Sequence, residues 1–382
     1  MTDNYREESK YILWLNHLRT INHPTIHKLI KLFGNEEEVY INLQDHDIID
    51  HLVETKVIKE ETKDEILFEL EDSDIDSWYV AHFTELAKRS INVITYLSDE
   101  FPDKLKVIHD NPVALYYRGD IGLLSSEHIV AVIGTRRPTI YGREVAEHFA
   151  RELASRGIVI VSGLATGIDT YSHNGAISAG GKTIGVLGGS VDICYPRNNF
   201  KIYNEMCNNH LVISEYPPGV APLSMNFPMR NRIISGISDG VLVVEAGMRS
   251  GTIITSDRAL EQGKVICAIP GRIDDVQSQG TNYLIRSGAF SVSSVDDVIC
   301  DIYGDAFNKK VSEKVKKHSR YTLTEEEAKL YSHITLEPVY IDDLIRVNNL
   351  SVSGTIAALS RMERAGIIKK VNNSYYIKNL DY

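Results

Sequence analysis

Between residues 90 and 303, short apolar segments alternate with amphipathic segments, and this alternation constrains the fold more than any other feature. An apolar run of roughly four to six residues suits a buried strand and is too short for a buried helix. Strands that alternate with helices pair in parallel and are covered on both faces. The pattern predicts an α/β fold with an extended Rossmann-like parallel sheet. Its predicted strands are Ile129–Ile133, Ile158–Val161, Thr183–Leu187, Leu211–Ser214, Val241–Glu245 and Lys264–Ile269.

The turn after the first predicted strand reads Gly134-Thr135-Arg136-Arg137-Pro138. A dinucleotide-binding fold has G-x-G-x-x-G at this place, because its glycines let the backbone approach a pyrophosphate. Two arginines replace the small residues, so we expect no NAD and no other cofactor. A glycine, the free N–H groups of a helix start and a guanidinium suit a phosphate group instead. Arg136 is the predicted ligand-facing residue, and the alternative is a surface arginine beside a tight turn.

Two smaller regions flank the sheet domain, which we place at residues 86–303. Residues 1–85 have the apolar spacing of short helices and form a small helical domain. Residues 304–320 are polar and Lys-rich and read as a linker. Residues 321–382 hold three helical segments and then two short strands joined at Asn372-Asn373, a favourable turn pair. Three helices followed by a hairpin are typical of a winged-helix domain.

Composition narrows the class of protein. The apolar fraction of 43% and the charged fraction of 24% are those of a globular domain. We see no signal peptide and no apolar run near the roughly 18 residues of a membrane span, so we expect a soluble cytoplasmic protein. The four cysteines form no C-x-x-C motif, which suits a reducing cytosol and argues against a zinc site.

The net charge of −11 would count against a nucleic-acid partner if it were spread evenly over the chain. It is not, because the first 78 residues carry eight Lys and Arg against nineteen Asp and Glu. The remainder of the chain is neutral, with 33 residues of each sign. A neutral domain can still present a basic groove, so the charge balance does not exclude a polyanionic ligand.

Further turns follow the other strands, and ligands of open parallel sheets bind where such turns converge. The second turn, Ser162–Asp169, has the small residues of an anion cradle, with Asp169 as a predicted helix cap. A plain strand-to-helix turn is the more common explanation of such a motif. The third turn, Gly188–Asp192, is small enough for close approach of a ligand. A fifth turn, Arg249–Thr252, opens a helix and offers another phosphate site.

The fourth turn is the most informative, because it combines an aromatic residue with arginines in the segment N-F-P-M-R-N-R-I-I-S-G. An aromatic ring stacks on a nucleobase while a guanidinium binds the phosphate chain, and each stacked base contributes about 1–3 kcal/mol. The alternative is that Phe227 belongs to the core and that one arginine pairs with Glu245. We expect at least one of the arginines to have such a structural role. The polar residues after Phe227 are Arg230, Asn231 and Arg232.

No catalytic motif accompanies these turns. The sequence contains no G-x-x-x-x-G-K-[ST] phosphate loop, no acidic cluster for two-metal chemistry and no evident nucleophile–base pair. His173, on the helix after the second turn, is predicted to be a packed or hydrogen-bonding residue rather than a general base. We therefore predict a binding site with no catalytic residue and no metal.

Ordered motifs over roughly 190 residues resemble the DNA-processing protein A family, DprA, also called Smf. They include VIGTRRPTIYG, SGLATGID, FPMRNRIISGISDGVLVVEA and RSGTIITSDRALEQGKVICAIPG. The resemblance implies an extended Rossmann fold without a dinucleotide, binding of single-stranded DNA, a homodimer, and loading of RecA recombinase during natural transformation and recombination. It places Gly134-Thr135-Arg136 in the DNA pocket. It also identifies Phe227–Arg232 as a family signature, which the convergence of the turns assigns to the same pocket.

The predicted DNA-binding residues thus come from five turns that follow the strands of one sheet. They are Gly134, Thr135, Arg136, Ser162, Gly163, Gly188, Phe227, Arg230, Asn231, Arg232, Arg249, Ser250 and Gly251. We expect Arg136→Ala or Arg230→Ala to weaken DNA binding without unfolding the protein. The helical segment GTNYLIRSGAF is a candidate dimer surface.

Both ends of the chain depart from the family pattern. The N-terminal domain resembles a SAM-like, helix-hairpin-helix-like module, but Asn22-His23-Pro24 stands where glycines expose N–H groups to phosphate. Proline has no N–H group, and the region is acidic, so protein contact is favoured there. The predicted recognition helix of the winged-helix domain, Val352–Glu363, has few basic side chains. Protein contact or weak DNA binding is favoured for it over sequence-specific reading of a duplex.

Two hypotheses of different class follow. The leading one is a non-enzymatic single-stranded DNA-binding protein with RecA as its partner and no membrane association. The rival is a nucleotide-processing enzyme of the lysine-decarboxylase-like Rossmann group, with Glu245 in catalysis. The P-G-G-x-G-T signature of that group is absent. A transcription factor acting through the winged helix is disfavoured by the size of the sheet domain.

Overall fold

The computed structural model describes residues 9–18, 20–72, 74–307, 321–347 and 351–380. Its first part is a group of helices, here called the helical domain, whose apolar faces enclose a core around Trp14. Asn22 caps the second helix by accepting the Thr25 N–H, and Gly34 ends that helix with a φ of +108°. The helices are α1 (Ser9–His17), α2 (His23–Phe33), α3 (Glu36–Asn42), α4 (His46–Glu54), α5 (Glu60–Asp72) and α6 (Ile75–Lys88).

Nine strands of the described chain form one sheet in the order β1-β2-β6-β5-β4-β3-β7-β8-β9. The seven strands from β6 to β9 are parallel, and β1 and β2 are antiparallel additions at one edge. The strands are β1 (Asn92–Thr95), β2 (Ala114–Gly119), β3 (Ile129–Ile133), β4 (Val159–Ser162), β5 (Thr183–Val186), β6 (Leu211–Ser214), β7 (Gly240–Val243), β8 (Val265–Ala268) and β9 (Phe290–Ser291).

The six predicted strands are confirmed as β3 to β8, with bounds that differ by no more than two residues. Every residue of β3, β4, β5, β6 and β7 is buried, as expected of strands covered on both faces. The predicted α/β class and extended parallel sheet are therefore confirmed. The antiparallel strands β1 and β2 and the two-residue strand β9 were not predicted.

Helices cover both faces of the sheet, and the sheet separates two apolar cores. One core lies beneath helix α11 (Asn226–Ile237) and contains Ile233 and Ile237, and the other lies beneath helix α8 (Ile140–Ser155) and contains Val145 and Phe149. No helix in the described ranges is long and apolar enough to cross a membrane. The helices are α7 (Asp103–Lys106), α8 (Ile140–Ser155), α9 (Ile168–Ser178), α10 (Phe200–Asn209), α11 (Asn226–Ile237), α12 (Gly251–Glu261), α13 (Gln279–Arg286) and α14 (Val295–Tyr303).

A small C-terminal module follows at residues 321–380, with three helices and a three-stranded antiparallel sheet in its described part. The three predicted helices and the hairpin are present, and the additional strand β10 pairs with β12. Residues 308–320, which make up most of the predicted linker, lie outside the described residues. The elements are α15 (Glu325–Ser332), β10 (Val339–Tyr340), α16 (Ile341–Arg346), α17 (Val352–Arg364), β11 (Ile368–Asn372) and β12 (Tyr375–Lys378).

A buried ionic network joins the helical domain to the sheet domain. Glu215, next to the end of β6, accepts hydrogen bonds from both terminal nitrogens of Arg232 at 2.8 and 2.7 Å. His23, at the start of α2, reaches the same carboxylate at 2.6 Å. Burial alone would raise the pKa of Glu215, but Arg232 and His23 outweigh it and hold the pKa well below its usual range. The carboxylate therefore stays charged and fixes α2 and α11 against the end of β6.

We predict that Arg232→Ala lowers the free energy of unfolding by about 3–5 kcal/mol at pH 7, because it leaves Glu215 buried with a single partner. Urea denaturation followed by circular dichroism measures the change. Arg258→Ala, which breaks an exposed pair with Glu261, is the control and should cost less than about 1 kcal/mol. A loss for Arg232→Ala as small as the control's would contradict the role of the network.

The same network predicts a pH dependence. Because folding lowers the pKa of Glu215, its contribution to stability is present above the usual glutamate value of 4.5 and is lost as the pH falls further. The stability advantage of the wild type over Glu215→Gln should therefore shrink progressively below about pH 4.5. An advantage that is constant between pH 7 and pH 3 would contradict this assignment.

Candidate functional site

A cleft of about 1030 Å³ opens at the carboxyl ends of the parallel strands. Its position follows from the strand order, because the chain places β4, β5 and β6 on one side of β3 and then β7 on the other. Connections that leave neighbouring strands in opposite directions open a crevice between them, where ligands of such sheets bind. Nine of the predicted residues line the cleft: Gly134, Thr135, Arg136, Phe227, Arg230, Asn231, Arg249, Ser250 and Gly251.

A smaller side pocket of about 160 Å³ adjoins the cleft, and Arg136 and Phe227 line both cavities. Gly163 and Gly188 line the side pocket, so eleven of the thirteen predicted residues surround one connected space. The expectation that turns distant in sequence converge is confirmed for these residues.

The first turn is held rigidly by its neighbours. The Thr135 N–H donates to the Glu245 carbonyl at 2.7 Å, and the Thr135 carbonyl accepts the Ile168 N–H at 3.2 Å. Gly167 has a φ of +85° and lies so close that an added Cβ would come within 2.7 Å of the Arg136 Cα. Only glycine both adopts this φ readily and leaves room for the Arg136 backbone. The second turn therefore packs closely against the first. Arg136 is consequently presented to solvent on a fixed backbone.

Arg136 and Phe227 form a cation–π pair across the mouth of the side pocket. The guanidinium carbon lies 5.1 Å from the ring centroid, and Arg136 has no carboxylate within 4 Å in the described part of the chain. Phe227 is half-buried, and its ring packs on Gly188, where an added Cβ would lie 2.9 Å from the ring. The small residue of the third turn therefore makes room for this ring, and it also lines the side pocket.

Arg230 is buried, with 3% of its surface exposed. Its Nη1 donates to the Gly163 carbonyl at 2.7 Å and to the Val186 carbonyl. Burial lowers the pKa of Arg230 to about 10, and the Asp169 carboxylate opposes that shift. The expectation that Arg230→Ala leaves the protein folded stays a prediction, and this geometry counts against it, because removal of the guanidinium takes a charged donor from two buried carbonyls.

Two predicted residues lie outside both cavities. Arg232 is 3% exposed and is committed to Glu215, which is the structural role expected for one of the arginines, although its predicted partner, Glu245, was wrong. Ser162 is fully buried, and its hydroxyl donates to the Val132 carbonyl at 2.8 Å. Neither side chain is positioned to contact a ligand in the cleft, which corrects their inclusion in the predicted site.

The second turn does not form an open anion cradle. The buried Asp169 carboxylate accepts the N–H groups of Gly163 and Ala165 at 3.2 and 3.3 Å. Asp169 therefore binds the turn and does not cap the following helix as predicted, and the N-cap position is Gly167. Burial raises the pKa of Asp169, while Arg230 and the two N–H donors oppose the rise.

The start of α8 is also occupied by a carboxylate of the protein itself. Glu245 accepts the Thr139 N–H at 3.0 Å and the Thr139 hydroxyl, and Gly142 packs directly against it. Burial raises the pKa of Glu245, and the bonds from Thr139 oppose this rise. A carboxylate of the protein thus occupies part of the helix start at which we expected a phosphate group. The same bonds give Glu245 a structural role and argue against the rival assignment of Glu245 to catalysis.

His173 is completely buried, with its Nδ1 2.7 Å from the Thr183 hydroxyl. Burial lowers the pKa of His173 to about 3. The prediction that it is a packed, hydrogen-bonding residue is confirmed. Arg249, by contrast, is exposed at the rim of the cleft, immediately before Ser250, whose side chain caps α12. Arg249 is thus an exposed cation from another turn of the cleft, besides Arg136 and Arg137 of the first turn.

Sequence reasoning missed several residues that line the cleft. Tyr195 is 47% exposed, and its ring centroid lies 5.7 Å from that of Phe227. Gln277 and Gln279 add amide groups to the lining. A signal for Tyr195 was present, because it is followed by Pro196 and Arg197, an aromatic–proline–arginine grouping like that which begins at Phe227.

We predict that Arg230→Ala lowers the free energy of unfolding by several kcal/mol, since each of the two buried carbonyls that lose this charged donor costs about 1–3 kcal/mol. Arg249→Ala, in the same cleft but exposed, is the matched control and should change stability by less than about 0.5 kcal/mol. Chemical denaturation of both variants measures the difference. Equal stabilities of the two variants would contradict the structural role assigned to Arg230.

Comparison with known proteins places these features in a family. A family model described as DNA recombination-mediator protein A matches residues 92–303. DNA processing protein DprA of Bacillus subtilis is 41% identical over 245 residues, covering 63% of this chain and 82% of the relative. DNA processing protein DprA of Streptococcus pneumoniae is 46% identical over 205 residues, covering 54% and 72%.

Two solved structures are also similar. The X-ray structure of DprA from Streptococcus pneumoniae has a TM-score of 0.65 at 35% identity, covering 77% of this chain and 98% of that chain. The structure of DNA processing protein A from Helicobacter pylori, described with a single-stranded DNA binding mode, has a TM-score of 0.51 at 32% identity, covering 59% and 97%. Since the family model spans more than half of the sequence, this chain belongs to the DNA-processing protein A (DprA/Smf) family.

Proposed function

We propose that this protein binds single-stranded DNA in the cleft, without catalysis, and loads RecA onto it during natural transformation and recombination. The observation that carries the proposal is the Arg136–Phe227 pair, in which a half-buried ring and an exposed guanidinium lie 5.1 Å apart. A relative from Helicobacter pylori described with a single-stranded DNA binding mode supports the same ligand.

The division of roles follows from exposure. The ring of Phe227 offers a stacking platform for a base, with Tyr195 beside it, while Arg136 and Arg249 bind phosphate groups at the rim. A duplex hides the faces of its bases, so a stacking platform of this kind favours a single strand. Stacking also tolerates any base, and we therefore propose binding with little sequence preference.

The side chains with catalytic chemistry near the cleft are already bonded within the protein, which supports binding without catalysis. The carboxylate of Asp169 is held by the second turn, that of Glu245 by Thr139, and the imidazole of His173 by Thr183. Steady release of free base from nucleoside monophosphates would contradict the non-enzymatic assignment.

We further propose that the protein has RecA as a partner, forms a homodimer and is cytoplasmic. For the homodimer we propose the sheet edge at β9, where Phe290 and Tyr283 are exposed and β9 is the outermost strand of the sheet within the described residues. We interpret the C-terminal module as a winged helix that contacts protein. Its helix α17 exposes Val352 and Ile356 where a duplex-reading helix carries polar groups.

We predict that Arg136→Ala and Phe227→Leu each weaken binding of a fluorescent oligothymidine by about tenfold, since one stacked base is worth about 1–3 kcal/mol. Arg136→Ala should also reduce the slope of log K against log salt by about 0.7, the share of one phosphate. Fluorescence anisotropy over a range of salt concentrations gives both quantities.

Lys182→Ala is the matched control for this experiment, because Lys182 is an exposed cation at the opposite, amino end of the parallel strands. It should bind the oligothymidine like the wild type. If Arg136→Ala and Phe227→Leu also bind like the wild type, the cleft is not the DNA site. An added RecA assay tests the loading step, which fails if RecA filaments form on coated single strands no faster with the protein than without it.

A further inference from the structure

A second guanidinium–aromatic pair lies outside the cleft. The guanidinium carbon of Arg143 lies 5.8 Å from the ring centroid of Tyr171, a spacing close to that of Arg136 over Phe227. Arg143 is exposed and Tyr171 is half-buried. The two residues belong to different helices, α8 and α9, so their meeting is a feature of the tertiary structure.

Helix α8 begins after the first turn of the cleft, and α9 begins in the second turn, which packs against the first. The cap of α8 is Thr139, which follows Arg137 on the cleft wall, and Arg143 is four residues further. The cap of α9 is Gly167, pressed against the backbone of Arg136, and Tyr171 is also four residues further. Because a helix rises about 1.5 Å per residue, Arg143 and Tyr171 each lie roughly 6 Å along their helix from its cap.

The charged residues around this pair leave the guanidinium of Arg143 available to bind an anion. Within the described ranges, neither Arg137 nor Arg143 has a carboxylate within 4 Å. The acidic residues next along α8 are engaged elsewhere, Glu144 with Lys369 of the C-terminal module and Glu147 with Arg151 at 2.7 Å.

Burial raises the pKa of Glu245, and the charge of Arg143 is among the interactions that oppose this rise. The Glu245 carboxylate is nevertheless held by Thr139 and does not form an ion pair with Arg143. Arg143 thus repeats the situation of Arg136, an exposed guanidinium beside an aromatic ring and without a partner carboxylate. Arg137 lines the cleft and lies between Arg136 and Arg143 in the sequence.

We propose that Arg137, Arg143 and Tyr171 form an exit track for the single strand, on which nucleotides leaving the cleft bind phosphate to the two arginines and stack a base on Tyr171. The proposal rests on the proposed function of the cleft. It extends the binding surface across the first turns of α8 and α9, and it predicts that affinity depends on strand length in a way that the cleft alone does not.

The test compares oligothymidines of about 6 and about 20 nucleotides, one near the lower end and one beyond the upper end of the roughly 4–16 nucleotides that single-strand binding folds occupy. Arg143→Ala and Tyr171→Leu should each weaken binding of the long strand about fivefold and leave the short strand unaffected. Tyr171→Phe keeps the ring and should bind both strands like the wild type. For the long strand, Arg143→Ala should also lower the salt slope by about 0.7.

Lys182→Ala again serves as the charge control, and thermal unfolding identifies any variant that has lost its fold. Unchanged binding of the long strand by Arg143→Ala and Tyr171→Leu overturns the track while leaving the cleft proposal intact. An equal loss for both strand lengths also overturns the track, because it assigns the pair to support of the cleft. Failure of the cleft proposal has a different signature, in which Arg136→Ala binds the short strand like the wild type.

Discussion

The guanidinium of Arg230 lies between the carbonyl oxygens of Gly163 and Val186, beyond the end of β4 and at the end of β5. Carbonyl groups at the ends of buried strands have no partner in the sheet and need a donor from elsewhere. A guanidinium supplies several donors in a fixed plane, and Asp169 balances its charge while binding the N–H groups of the same turn. This contact fixes the start of α11, and with it the ring of Phe227 over Gly188.

Helix geometry therefore gives the residues of the segment F-P-M-R-N-R different roles. Phe227 and Arg230 are three residues apart and share the side of α11 that faces the cleft. Arg232 is two residues further, points to another side of the helix and meets Glu215. Because both arginines are consumed by structure, the cations that remain for a polyanion come from the turns at Arg136 and Arg249.

The parts of the fold that could be predicted were those with a local signal. Strands β3 to β8 are apolar because helices cover both of their faces, and topology alone brings their turns together. Strand β9 has two residues, too few to show a period, and β1 and β2 join the sheet as antiparallel edge strands that the βαβ pattern does not announce.

The role of each charged residue could not be predicted, because the partners are distant in sequence. Arg232 meets Glu215 from 17 residues away and Arg230 meets Gly163 from 67 residues away. Spacing shows that an arginine follows an aromatic residue, but only the tertiary structure shows which guanidinium is exposed. The same limit explains why Asp169 was assigned to a helix cap when it binds its own turn.

Hydrogen–deuterium exchange with and without an oligothymidine tests whether the strand-end turns bind a single strand. We predict protection at residues 134–137, 226–231 and 247–252, with little change in the helical domain. Protection confined to the helical domain or to the C-terminal module, with the cleft turns unchanged, would contradict it.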